Sequence, residues 1–252
     1  MMSGKRAKAQ RQSLCRRPPH FINSASAKES ADRVLAVDLS GVPLSRTTQF
    51  IVGWLRSIFA QSRAIACLTV DGLAHAAAPN RRSFAETVVR LQWLHGMSQA
   101  DRAGALDEMI EHERELTRKA FNALSEMGYD STVDLSEMEA MVLQAASNGR
   151  VKNQARQFLA AAKSTTGQSV GLYYAWREET QYTHATGALA ASYAPDTKGA
   201  MGDGKPPVAD PDLESHRMAT MLAITLAYNL LLDEGVDESL ARTIINAFFG
   251  KS

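Results

Sequence analysis

Cysteine is almost missing from this chain: Cys15 and Cys67 are the two it has in 252 residues. One sits in a basic leader and the other in an apolar helical stretch. Neither a disulfide framework nor a thiolate metal site can be built from them, and a reducing, cytoplasmic setting is the default expectation. Aromatics are scarce at 7% while alanine is abundant, a balance that favours helices over sheets. No charge-free apolar run of about 18 residues occurs, so no transmembrane helix and no membrane partner are expected. The basic N-terminus lacks an apolar stretch and is not read as a signal peptide. Its Arg-rich, acid-free character also fits a transit peptide, but a disordered tail is the preferred reading. Several chemical signatures are missing too. There is no Gly-x-Ser-x-Gly elbow and no Cys/His cluster. Gly199–Lys205 is glycine-rich but lacks the spacing and the preceding strand of a phosphate loop.

What remains is a chain that is 45% hydrophobic, enough for a sizeable core. Its formal net charge of +1 hides an asymmetry. Residues 1–28 carry Lys5, Arg6, Lys8, Arg11, Arg16, Arg17 and Lys28 and no acid, which leaves 21 basic against 27 acidic residues in the rest, a net of −6. The leader is read as a solvated tail that could touch nucleic acid or an acidic partner. An acidic body argues against a broad nucleic-acid surface, so any RNA contact there would be local.

Periodicity predicts an all-α up-and-down bundle with one core: a disordered basic tail over 1–25, then a single helical domain over 26–252. Helices are expected at Ala27–Leu39, Ser45–Ala76, Arg81–His95, Gln99–Met127, Leu135–Ser147, Val151–Lys163, Ser169–Tyr193, Asp210–Asp233 and Glu238–Phe249. Ile51, Trp54, Leu55, Ile58, Ile65, Leu68 and Leu73 form one stripe. Phe84, Val88, Leu91 and Leu94 form the next. Asn80 is a candidate N-cap, Asp134 with Glu137 a candidate capping box, and Asp210-Pro211 a helix opening by N-cap and N1 chemistry. Residues 194–211 are a long loop rich in Gly and Pro.

The segment Trp176-Arg177-Glu178-Glu179-Thr180-Gln181-Tyr182-Thr183-His184 carries the most chemistry. On one helix, seven residues turn about 700°, so Arg177 and His184 would leave the same face roughly 10 Å apart. A permanent cation beside an imidazole suits phosphodiester chemistry. Tyr173 and Gln181 would share that face. An ordinary polar outer face is the alternative. Arg90 and His95 show a similar spacing, but five residues leave them about 140° apart. Glu86 and Arg90, at i and i+4, read either as an intrahelical pair or as support for the site. Glu108, His112 and Glu115 read as a solvated charged face rather than a metal site. Met138, Met141, Met218 and Met221 read as core filler. His216, next to the long loop, is expected to be a surface histidine in a helix's first turn, with a second site residue as the alternative.

The region from about Arg81 to Ser192 resembles an uncharacterised all-helical bacterial family within the HEPN-like group, which includes abortive-infection proteins. Two stretches carry the likeness. One is Arg82-Ser-Phe-Ala-Glu86-Thr-Val-Val-Arg90-Leu-Gln-Trp93-Leu94, with Glu113-Arg114-Glu115-Leu116 on the charged helix that follows. The other runs from Tyr173 to His184-Ala185-Thr186. Arg177 and His184, with six residues between them, match the group's Arg-then-His pattern, although Glu178 stands where Asn, Asp or His is common. The resemblance implies a metal-independent endoribonuclease in a stress or phage-defence setting. His184 would be the acid/base group, Arg177 the phosphate holder and the ribose 2′-OH the nucleophile, with no cofactor. Tyr173, Gln181, Glu86 and Arg90 would line the binding surface. RNA, a second copy of the chain in a homodimer, and an antitoxin or other protein are the candidate partners. The alternative is a non-catalytic helical module that binds a nucleotide, an RNA or a protein partner.

Overall fold

The computed structural model describes residues 17–129, 132–165 and 170–251. The expected tail therefore lies mostly outside the described residues, Cys15 included. Within them the protein is all-α. The helices are α1 (Pro19–Leu35), α2 (Arg46–Val70), α3 (Ala78–His95), α4 (Gln99–Glu126), α5 (Ser136–Ala140), α6 (Gly149–Arg156), α7 (Phe158–Ser164), α8 (Val170–Thr180), α9 (Gly187–Tyr193), α10 (Glu214–Asp233) and α11 (Glu238–Phe249). A 3₁₀ turn, Ala74–Ala77, joins α2 to α3. None of these helices is long and apolar enough to cross a membrane.

The core forms where α1, α2, α3, α10 and α11 meet. Ile51, Leu55, Ile58 and Ile65 of α2 are fully buried, as are Val88, Leu91 and Leu94 of α3. Each set recurs every three or four residues, so one face of each helix turns inward. Leu73 falls off the α2 stripe and is exposed. A smaller apolar cluster joins Trp93, Ala105, Val151, Ala155 and Ala161, so the expected single core is two clusters.

Several helix ends depart from the sequence reading. Helix α1 starts at Pro19, ahead of the expected Ala27, because proline suits the first turn, where its missing N–H loses nothing. Pro79 does the same for α3, which starts at Ala78, and Asn80 is spent on Gln61 (2.7 Å) rather than on a cap. The helix expected over 135–147 shrinks to α5. The expected capping box of Asp134 and Glu137 does not form: Leu135 is the N-cap, Asp134 accepts from the Ser136 amide at 2.8 Å in a local turn, and extended backbone at Met141 ends the helix. The helix expected over 151–163 breaks at Gln157 into α6 and α7.

The long loop contains a small hairpin, Asp196–Thr197 against Ala200–Met201. Lys198 and Gly199 both have positive φ, as a two-residue hairpin turn requires. Asp210 does not open α10 directly. Its carboxylate reaches forward to the amides of Glu214 (3.0 Å) and His216 (2.8 Å). Met218 and Met221 are exposed rather than core, because Ala219, Ala223, Leu226 and Leu230 take the inner face of α10.

Helix α4 is charged but not simply solvated. Arg102 is 3% exposed and holds Asp233 and Glu234, both at 2.8 Å. Buried Asp107 takes Arg46 (2.6 Å) and the Gln144 amide (2.8 Å). Buried Arg114 donates to the carbonyls of Met138 and Met141. These bonds strap segment 132–148 to α4. Gly104 lets this segment approach α4 closely: a Cβ there would lie 2.9 Å from the Ala145 carbonyl oxygen.

Candidate functional site

The single helix on which Arg177 and His184 were to share a face does not form. Helix α8 ends at Thr180, residues 181–186 turn, and α9 begins at Gly187. Threonines explain the break. The hydroxyls of Thr180, Thr183 and Thr186 donate to the carbonyls of Trp176, Glu179 and Gln181, and Thr186 then caps α9 by accepting from the Leu189 amide at 3.1 Å. Short polar β-branched side chains offer the backbone this alternative to helix, and it wins here. Arg177 is exposed and forms no ion pair among the described residues, while His184 is exposed on the turn. Gln181 is also exposed on that turn. Tyr173 instead stacks on Trp176, with ring centres 5.7 Å apart, and lies near Phe158.

The partner that reaches His184 is Arg82. Its Nη1 lies 3.1 Å from His184 Nε2, and its guanidinium sits 5.3 Å over the Trp176 ring. Two interactions hold α8 in place for this. Glu179, 6% exposed, takes both Arg81 Nε (2.6 Å) and Nη2 (2.9 Å). The Trp176 indole N–H donates to Glu86 at 2.9 Å. The carboxylate of Glu179 is therefore a structural anchor committed to Arg81. Glu178 bonds to Tyr174 and holds that phenol above its usual pKa.

Arg82, Glu86 and Arg90 follow one another at four-residue spacing along α3 and line a cleft of about 540 Å³. Met109, His112, Glu113 and Leu116 of α4 form the opposite wall, Phe158 and Arg156 close one end, and Thr183 reaches the rim. Glu86 and Arg90 thus line one cleft, and Tyr173, Arg177, Gln181 and His184 are not among its walls.

The charges in the cleft differ in how far they are satisfied. Arg156 is occupied by Glu108 (2.5 Å) and by both oxygens of Glu115 (2.8 Å each), carboxylates that hold its guanidinium above the usual range. Glu108 is buried in this network, so this part of α4 is a built ionic contact rather than a solvated face. Arg90 is buried and donates to the Gln154 carbonyl (2.8 Å). Burial lowers its pKa, against the pull of Glu86 and Glu113. Its guanidinium also lies 5.3 Å from the Trp93 ring centre and 5.7 Å from that of Phe158. Glu113 stands on the rim, where loss of water lifts its carboxyl above the usual range and Arg90 and His112 oppose the lift.

Two buried nitrogens in this cleft have no hydrogen-bond partner among the described residues: Arg82 Nε and His112 Nδ1. His112 Nδ1 comes no nearer than 4.0 Å to Glu115, too far for a hydrogen bond. No group of three His, Cys, Asp or Glu that could hold a metal occurs among the described residues.

The sequence reading gave Arg82 no role and placed His112 on a solvated face. The signal for Arg82 was present as the repeat Arg82, Glu86, Arg90 at i, i+4 and i+8. Nothing local marks His112, because its cleft exists only once α4 packs across from α3. Comparison with family models, curated proteins and solved structures finds no match.

Proposed function

We propose that this protein is a helical module that binds an anionic ligand carrying a flat ring, a nucleotide or a segment of single-stranded RNA, in the cleft between α3 and α4. The observation that carries the reading is the pair of unmet buried nitrogens, Arg82 Nε and His112 Nδ1. A buried N–H without an acceptor costs about 1–3 kcal/mol, and a phosphate oxygen would remove that penalty at Arg82 Nε, and at His112 Nδ1 in the tautomer that carries its proton there. Arginine is also the residue suited to planar recognition of phosphate. Phe158 on the cleft wall supplies a face for a base.

One specific observation favours a second reading, metal-independent RNA cleavage. Arg82 and His184 place a permanent cation and an imidazole in contact on the exposed rim. In this reading Arg82, not Arg177, holds the phosphate and His184 moves the proton. The stress or phage-defence setting, the homodimer and the antitoxin belong to this reading.

One experiment separates the two. Fluorescein-labelled single-stranded RNA is titrated with wild type, Arg82→Ala and His184→Ala in excess EDTA, following anisotropy and then product length. The binding module gives saturable anisotropy, at least tenfold weaker in Arg82→Ala, with intact RNA. Cleavage by wild type but not His184→Ala, leaving 2′,3′-cyclic phosphate ends, establishes the nuclease instead. Neither binding nor cleavage of RNA or of a labelled nucleotide by wild type overturns both.

A further inference from the structure

A second cavity, of about 570 Å³, lies on the other side of α3, between α8 and the first turns of α10. Its volume falls in the range of small-molecule sites, roughly 300–1,000 Å³. The walls are mainly apolar: Phe84, Ala85, Leu172, Ala175, Ala219 and Leu222. Met218, 74% exposed, stands at its edge, where a flexible thioether can adapt to a guest.

The charged groups of this cavity are already held by hydrogen bonds. Arg81 and Glu179 form their two-bond pair, and the remaining Arg81 nitrogen donates to the Ala74 carbonyl. Both carboxylate oxygens of Asp210 accept from the first amides of α10. His216 is buried and held near a pKa of about 4, so it is neutral at physiological pH. Its Nε2 lies 2.8 Å from the Ser62 hydroxyl. Its Nδ1 has no hydrogen-bond partner among the described residues, although His216 is part of the cavity wall. A charged guest would find no free counter-charge and would lose its hydration. An apolar guest with one hydrogen-bonding group meets apolar walls and the His216 ring, with the Ser215 hydroxyl at the same end.

We infer that this cavity is a binding site for an uncharged, largely apolar small molecule that bears one hydrogen-bonding group, met by His216. It is separate from the α3–α4 cleft and takes the opposite class of ligand.

The test uses the full chain and N-phenyl-1-naphthylamine, an uncharged two-ring amine whose fluorescence rises in apolar surroundings. Its anionic analogue, 1-anilinonaphthalene-8-sulfonate, is titrated in parallel. Ala175→Phe and Leu222→Trp each fill the cavity from a different wall. Folding of each variant is checked by circular dichroism, so that one unfolded variant leaves the other. The expected result is saturable 1:1 binding of the amine, weakened at least tenfold in a folded filled variant. The part of the sulfonate signal that the filled variants remove is expected to be at least tenfold weaker than that of the amine. No saturable amine binding, or equal binding by a folded filled variant, overturns the site. Sulfonate binding there as tight as amine binding overturns the ligand class.

Discussion

Acidification from pH 7.5 to pH 5 should destabilise this protein through one side chain, His216. Ser62 of α2 bonds its ring, the Phe84 ring of α3 lies 4.3 Å away, and little water reaches it. Burial is the main cause of its lowered pKa; Arg81 adds to the lowering and Asp210 opposes it. The folded pKa of about 4 lies below the unfolded value of 6.5. The unfolded chain therefore binds the proton more readily, and stability falls as pH drops through the window between the two. At pH 7.5 almost no imidazole is protonated in either state. At pH 5 the unfolded state is stabilised by about 2 kcal/mol relative to the folded state. Carboxylates titrate as well, so the comparison needs a variant in which only the histidine is gone. His216→Gln keeps a polar group near Ser62 and cannot titrate. Urea unfolding of both proteins at pH 7.5 and pH 5, followed by circular dichroism, gives the difference of differences. Wild type should lose about 2 kcal/mol more than the variant over this interval. Parallel losses would show that His216 is not buried neutral, and the reasoning would fail.

Other outcomes follow from the packing. Glu179→Ala leaves Arg81 buried without its partner and should cost about 3–5 kcal/mol in urea unfolding, whereas the double variant Arg81→Met/Glu179→Leu should recover most of that loss. Unchanged stability in Glu179→Ala would mean that the pair is not the anchor of α8. Gly104→Ala drives a Cβ to 2.9 Å from a backbone oxygen. It should lower stability by about 1–3 kcal/mol and speed hydrogen exchange in segment 132–148 first. Unchanged exchange there would show that the segment does not lie against α4.

The sequence by itself determined the fold class and much of the element order. Periodic apolar residues placed α2, α3, α10 and α11, because burying a stripe is a local demand that each helix writes into its own spacing. Scarce cysteine and the absence of long apolar runs set which chemistries and spans to expect. Helix ends were harder to read. Asn80 has cap chemistry, yet its side chain bonds Gln61, and Asp210 reaches the first amides of α10 from four residues ahead of its start, because the partner with the best geometry is chosen in three dimensions.

The site shows the divide most clearly. Glu86 and Arg90 were legible as neighbours on one helix and do line one cleft. The pairing of Arg177 with His184 required an unbroken helix, and three threonine hydroxyls ended it. The contact of Arg82 with His184, the cleft at His112 and the burial of His216 could not be found locally. Arg82 and His184 are 102 residues apart in sequence, and Ser62 and His216 are 154 apart. Such contacts depend on how helices pack against one another, and burial, which sets both the unmet nitrogens and the histidine pKa, is a property of that packing rather than of any stretch of chain.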